Sequence, residues 1–91
     1  MPIVELTLLT RPGCHLCDDA RGIIHEVVAE TRAAGEPGAA EISLTELSIL
    51  DDPALLDTYA EEIPVLLING SVHTIWRVDA ARLTTALKEL T

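Results

Sequence analysis

The spacing of apolar residues changes period once near the start of the chain, and both cysteines sit at the change. Residues 3–9 (Ile-Val-Glu-Leu-Thr-Leu-Leu) form an apolar run with β-branched residues and a single charge. That composition fits a strand, and so few polar positions fit a central parallel strand covered on both faces. Arg11-Pro12-Gly13 then supplies turn chemistry. Beyond it Leu16, Ala20, Ile23, Ile24, Val27 and Val28 recur at helical spacing and predict a helix from about Cys14 to Ala33. Cys14-His15-Leu16-Cys17 therefore occupies the junction where a strand ends, the chain turns and a helix begins.

That placement has a chemical consequence. The first N–H groups of a helix lack partners within it, and its N-terminus carries partial positive charge. A sulfur held there is stabilised as thiolate, the form that acts as nucleophile. Residues three apart on a helix lie on one face, so Cys14 and Cys17 can meet and close a small disulfide. Both sulfurs are expected at the open mouth of the helix, the first to attack and the second to resolve. Asp18 and Asp19 in the first turn suit the macrodipole but repel a thiolate at Cys14, whereas Arg11 attracts one. His15 is placed to tune the thiolate or touch substrate, and equally to be a plain exposed residue.

The rest of the chain alternates in kind. Residues 34–39 read as a loop from their Gly and Pro content, and 41–48 as a second strand. Strand, helix, strand implies a crossover and a parallel pair. Asp51-Asp52-Pro53 reads as a helix start, with an acidic cap and proline at the first helical position, opening a short helix to about Ala60. Pro64 to Ile68 reads as a strand with proline at its permitted first place. Asn69-Gly70 is a hairpin signal, and Ser71 to Trp76 is the antiparallel return. Asp79 caps a last helix that turns Leu83, Ala86, Leu87 and Leu90 inward. The order is β-α-β-α-β-β-α.

Composition narrows the function classes. Ninety-one residues make one domain with a modest core. The formal charge of −9, from 15 acidic residues against 6 Lys and Arg, argues against nucleic acid and against anionic membrane surfaces, which want a basic patch. No basic-then-apolar leader opens the sequence and no apolar run suffices to span a bilayer, so a cytoplasmic monomer is expected. In a reducing compartment, a close cysteine pair points to catalysis or metal binding ahead of a permanent staple.

This order resembles the thioredoxin superfamily, where a Cys-x-x-Cys pair beside a βαβ pattern is the redox signature. The length looks like the glutaredoxin branch, and the most similar group is the small glutaredoxin-like proteins with the pattern Thr-Arg-Pro-Gly-Cys-His-Leu-Cys, here residues 10–17. Asp52-Pro53, Tyr59, Ile63-Pro64-Val65 and Asn69-Gly70 extend the match over almost the whole chain. The resemblance implies an α/β thioredoxin-like fold with a four-stranded mixed sheet and helices on both faces. It implies Cys14 as attacking thiol and Cys17 as resolving thiol. It implies a cis Pro64 facing the disulfide, with the Ile63 backbone turned outward to pair with substrate. Arg11 matches a basic residue near the glycine carboxylate of glutathione, and Asp79 an acidic residue near its γ-glutamyl end. One departure stands out: glutaredoxins typically carry Gly-Gly where this chain has Trp76-Arg77. Two bulky residues there oppose glutathione binding without touching fold or dithiol chemistry.

The implied function is thiol–disulfide exchange through the Cys14/Cys17 couple. Its partners would be a disulfide-bearing protein or glutathione, with glutathione or a reductase as electron donor and no metal or organic cofactor. Two other classes remain open from the residues alone. Two thiols are half of a zinc site, which a dimer or external ligands could complete into a metal or iron–sulfur module. A non-catalytic interaction domain using the same groove is the other.

Overall fold

A computed structural model describes residues 3–35 and 41–90. Its elements are β1 (Ile3–Thr10), α1 (His15–Ala34), β2 (Glu41–Ser48), a single 3₁₀ turn (Ile49–Asp51), α2 (Pro53–Tyr59), β3 (Val65–Ile68), β4 (Ser71–Ile75) and α3 (Ala80–Leu90). The sheet runs β2-β1-β3-β4. β1 pairs in parallel with β2 and antiparallel with β3, and β3 pairs antiparallel with β4, so the sheet is mixed. The loop expected over 34–39 lies mostly outside the described residues: Ala34 ends α1 and Gly35 follows it.

Alternation along β1 sends Val4, Leu6 and Leu8 to one face. There they meet Ala20, Ile24, Val27 and Val28 of α1, Leu66 and Ile68 of β3, and Leu83 and Leu87 of α3. The opposite face is covered differently. Leu9 and Val65 pack with Ile49 and Ile63, and Leu55 and Tyr59 of α2 close over them. Helices thus lie on both faces, but α2 is only seven residues long and reaches only the C-terminal end of β1. This corrects the expectation for β1: Ile3 and Glu5 are exposed, and continuous burial holds only from Leu8 to Thr10.

The helix ends follow from local chemistry. Asp52 caps α2 by accepting from the Ala54 N–H at 2.9 Å, with Pro53 at the first position. The carboxylate of Asp79 accepts from the Arg82 N–H at 3.0 Å and caps α3. Leu90, expected inward, is exposed, because the last turn of α3 runs past the sheet's apolar face. At the β3–β4 hairpin, Asn69 (φ 51°) and Gly70 (φ 83°) both take positive φ, as a two-residue turn of matching twist demands. Asn69 is also bolted to β1: its N–H donates to the Glu5 carbonyl at 2.8 Å, and its side-chain oxygen accepts from the Glu5 N–H at 2.9 Å.

Candidate redox site at the mouth of the first helix

The end of β1 delivers the chain to the turn Arg11–Gly13. Gly13 holds φ 73°, with open space around its missing Cβ, so the need for glycine there is torsional. The turn sets Cys14 as the N-cap of α1, with extended backbone at φ −99° and ψ 109°. The cap donor is the Cys17 N–H, which reaches the Cys14 sulfur at 3.1 Å. Cys14 and Cys17 are joined by a disulfide, with Cα atoms 5.2 Å apart. The helix therefore begins at His15, one residue later than expected, because Cys14 serves as its cap.

The two sulfurs are not equivalent. Cys14 is half-buried, while Cys17 is 1% exposed and packs with Leu9, Ile49, Ile63 and Val65. The expectation that both share an open mouth is corrected here. Cys17 begins the buried stripe of α1, in place of Leu16, which is 36% exposed. Only Cys14 can be reached from outside. Arg11 and His15 flank it, both exposed, and neither forms an ion pair among the described residues.

Across from the pair, the Ile63–Pro64 peptide bond is cis. The Ile63 side chain is buried in the same cluster as Cys17. The Pro64 carbonyl accepts from the Trp76 N–H at 2.8 Å. Among the described residues, neither the N–H nor the carbonyl of Ile63 has a hydrogen-bond partner. Unpaired backbone of this kind is an edge to which an extended segment can add.

A charge cluster braces the first turns of α1. The Arg21 guanidinium grips Glu46 of β2 with two bonds, Nε to Oε1 at 2.6 Å and Nη2 to Oε2 at 2.8 Å. Its Nη1 reaches Asp18 at 2.7 Å. The buried Thr10 hydroxyl donates to Glu46 Oε2 at 3.4 Å. The bond from Arg21 pulls the Glu46 carboxyl below its ordinary range, and Glu46 with Asp18 holds the guanidinium charged. Sequence reasoning missed this cluster. The three-residue step from Asp18 to Arg21 was visible, but the partner on β2 depends on how helix and strand dock.

Trp76 was also underweighted. It ends β4 one residue earlier than expected, because its backbone turns left-handed at φ 66°. The Arg77 N–H donates to the Ile75 carbonyl at 2.8 Å, closing a three-residue turn around Trp76. A non-glycine residue in this region costs of order 1–3 kcal/mol and persists only where its surroundings impose it. Here the indole Nε1–H donates to the Glu61 carbonyl at 3.0 Å, so the loop before Pro64 holds both the backbone and the ring. The chain keeps the backbone of a glycine position while carrying a tryptophan. Asp79, matched in sequence to a ligand position, is occupied in capping α3.

A model of the glutaredoxin-like domain (DUF836) matches residues 5–88. The chain belongs to the glutaredoxin-like family. The chain is similar to protein XcR50 from X. campestris, whose crystal structure is 34% identical, with a TM-score of 0.63 over 94% of this chain and 99% of its own. The solution structure of protein Ne2328 from Nitrosomonas europaea, at 19% identity and a TM-score of 0.65 over 94% and 92% of the two chains, shares the fold. The uncharacterized protein Rv0508 of Mycobacterium tuberculosis is 29% identical over 79 residues, 87% of this chain and 77% of its own. The two solved structures share the architecture built above from β1 through α3. Among the described residues, no three His, Cys, Asp or Glu side chains gather to hold a metal ion, so a metal would need ligands from beyond them. Among the described residues, no helix is long and apolar enough to cross a membrane.

Proposed function

We propose that the protein is a thiol–disulfide oxidoreductase working through the Cys14/Cys17 couple on protein disulfides. The supporting observation is the asymmetry of the pair: Cys14 reachable and capped by a backbone N–H, Cys17 buried directly behind it. In the reduced protein the Cys14 thiolate attacks a substrate disulfide, forming a mixed disulfide and expelling one substrate thiolate. Cys17 gives up its proton to solvent and attacks the Cys14 sulfur. The second substrate thiolate leaves, and Cys14–Cys17 is oxidised. Two electrons have passed to the substrate, and an external thiol, glutathione or the dithiol of a reductase, returns them. The unpaired Ile63 backbone supports a role in aligning an extended substrate beside Cys14. Burial of Cys17 favours intramolecular resolution, because no external thiol reaches that sulfur. In this reading Arg11 and His15 flank the incoming chain at the exposed rim.

A redox titration against mixtures of reduced and oxidised glutathione tests the proposal. The Cys14–Cys17 bond is expected to open and close reversibly, as a two-electron couple, with one midpoint. A disulfide that stays closed until the protein is unfolded would make it a structural staple and end the redox reading.

A further inference from the structure

Beside the reachable sulfur lies a groove of about 320 Å³ between α1 and the β4–α3 turn. Leu16, from between the two cysteines, forms the edge nearest Cys14, and Ala20, Ile23, Trp76 and Val78 supply the apolar walls. Asp19 and Arg77 stand at its rim, and neither makes a salt bridge among the described residues. The groove is thus mixed in polarity, with five apolar side chains in its walls and one charge of each sign beside them.

Trp76 shapes this space and ties it to the other substrate-facing feature. Its backbone N–H holds the Pro64 carbonyl and its indole holds Glu61, so the segment presenting the unpaired Ile63 backbone also fixes the tryptophan wall. Even so pinned, Trp76 remains 53% exposed. A large aromatic kept in a left-handed backbone and half open to water is a wall awaiting a partner surface. An extended peptide paired along Ile63 sends alternate side chains to opposite sides.

We propose that this groove receives an apolar side chain flanking the target cysteine of a polypeptide disulfide, and that Trp76 is the specificity-determining residue. The inference deepens the oxidoreductase reading and rests on it. Substrate is then read at two points: main chain at Ile63, side chain at Trp76. Trp76 stands where glutaredoxins typically carry glycine and takes up room that the γ-glutamyl end of glutathione needs, so the peptide is preferred over glutathione.

The test uses two disulfide-linked peptides that differ only in the residues flanking cysteine, Leu in one and Ser in the other. The wild-type protein is also assayed on 2-hydroxyethyl disulfide, which has no side chain to read. Wild type is expected to favour the Leu peptide in kcat/KM by about tenfold or more, the discrimination an apolar pocket gives. Trp76→Gly, which suits the left-handed backbone and so preserves the turn, is expected to bring that ratio near one. In a second measurement, Cys17→Ser protein trapped with the Leu peptide should show a blue shift in the emission of Trp76, the chain's single tryptophan, absent with the Ser peptide. A ratio near one in wild type, or an unchanged ratio in Trp76→Gly, overturns the inference, as does faster turnover of glutathione disulfide than of the Leu peptide. Wild type inert toward both peptides and toward 2-hydroxyethyl disulfide would overturn the oxidoreductase reading itself, and the groove assignment with it.

Discussion

The backbone N–H of Cys17 donates to the sulfur of Cys14 at 3.1 Å, so the residue that caps the first helix also carries its reachable sulfur. Reduction leaves that donor in place, beside the partial positive charge of the helix end. Reduced Cys14 is therefore expected to be alkylated by iodoacetamide in the native protein, while Cys17 is modified only after unfolding. Peptide mapping after timed alkylation checks this order.

Arg21 bears on the same sulfur through Asp18. With the guanidinium bound to it at 2.7 Å, Asp18 contributes less repulsion to a thiolate one turn away. Arg21→Gln frees that carboxylate and should slow alkylation of Cys14 at neutral pH. Asp18→Asn in the Arg21→Gln background should restore much of the rate, whereas an unaltered rate in both variants would disconnect the cluster from the thiol.

Glu46 should give the fold a pH-dependent brace. Its carboxyl is held below the ordinary value by the bond from Arg21. A group lowered in the folded state adds stability above its unfolded value, near pH 4.3, and loses it as pH falls through the folded value. Both side chains are 37% exposed, so solvent screening keeps the contribution to about 0.5–1 kcal/mol. Urea unfolding of Glu46→Gln should show that loss at pH 7, and the difference from wild type should vanish at strongly acid pH.

Asn69 combines a left-handed backbone with two hydrogen bonds to Glu5. Asn69→Ala keeps the main-chain bond, loses the side-chain acceptor and places alanine in a left-handed backbone that asparagine tolerates better. The expected cost is about 1–2 kcal/mol in urea unfolding. Asn69→Gly relieves the torsion and should lose only the side-chain part. Equal losses in the two variants would remove the torsional contribution.

Much of the fold was legible because its signals are local. The change from apolar run to helical stripe located β1 and α1 within a residue, and Asp52-Pro53, Asn69-Gly70 and Asp79 marked a helix start, a hairpin and a cap. The site was legible as far as its sulfurs. What escaped depends on packing between distant elements. Cys17 is buried because Ile49, Ile63 and Val65 close over it, contacts with no periodicity to reveal them. Glu46 meets Arg21 only once β2 lies beside β1, and Trp76 takes a glycine's backbone because Pro64 and Glu61 hold it there. Leu16 fitted the helical stripe but lines the groove, because Cys17 takes the inward position of the first turn.

The most direct test of the two-sulfur asymmetry is intact-mass spectrometry of Cys14→Ser and Cys17→Ser after each is mixed, reduced, with one equivalent of a peptide disulfide. Cys17→Ser should capture a stoichiometric mixed disulfide at Cys14, and Cys14→Ser should capture none. Capture on Cys17 in the Cys14→Ser protein, or no adduct on either variant, would contradict a reachable attacking thiol backed by a buried resolving one.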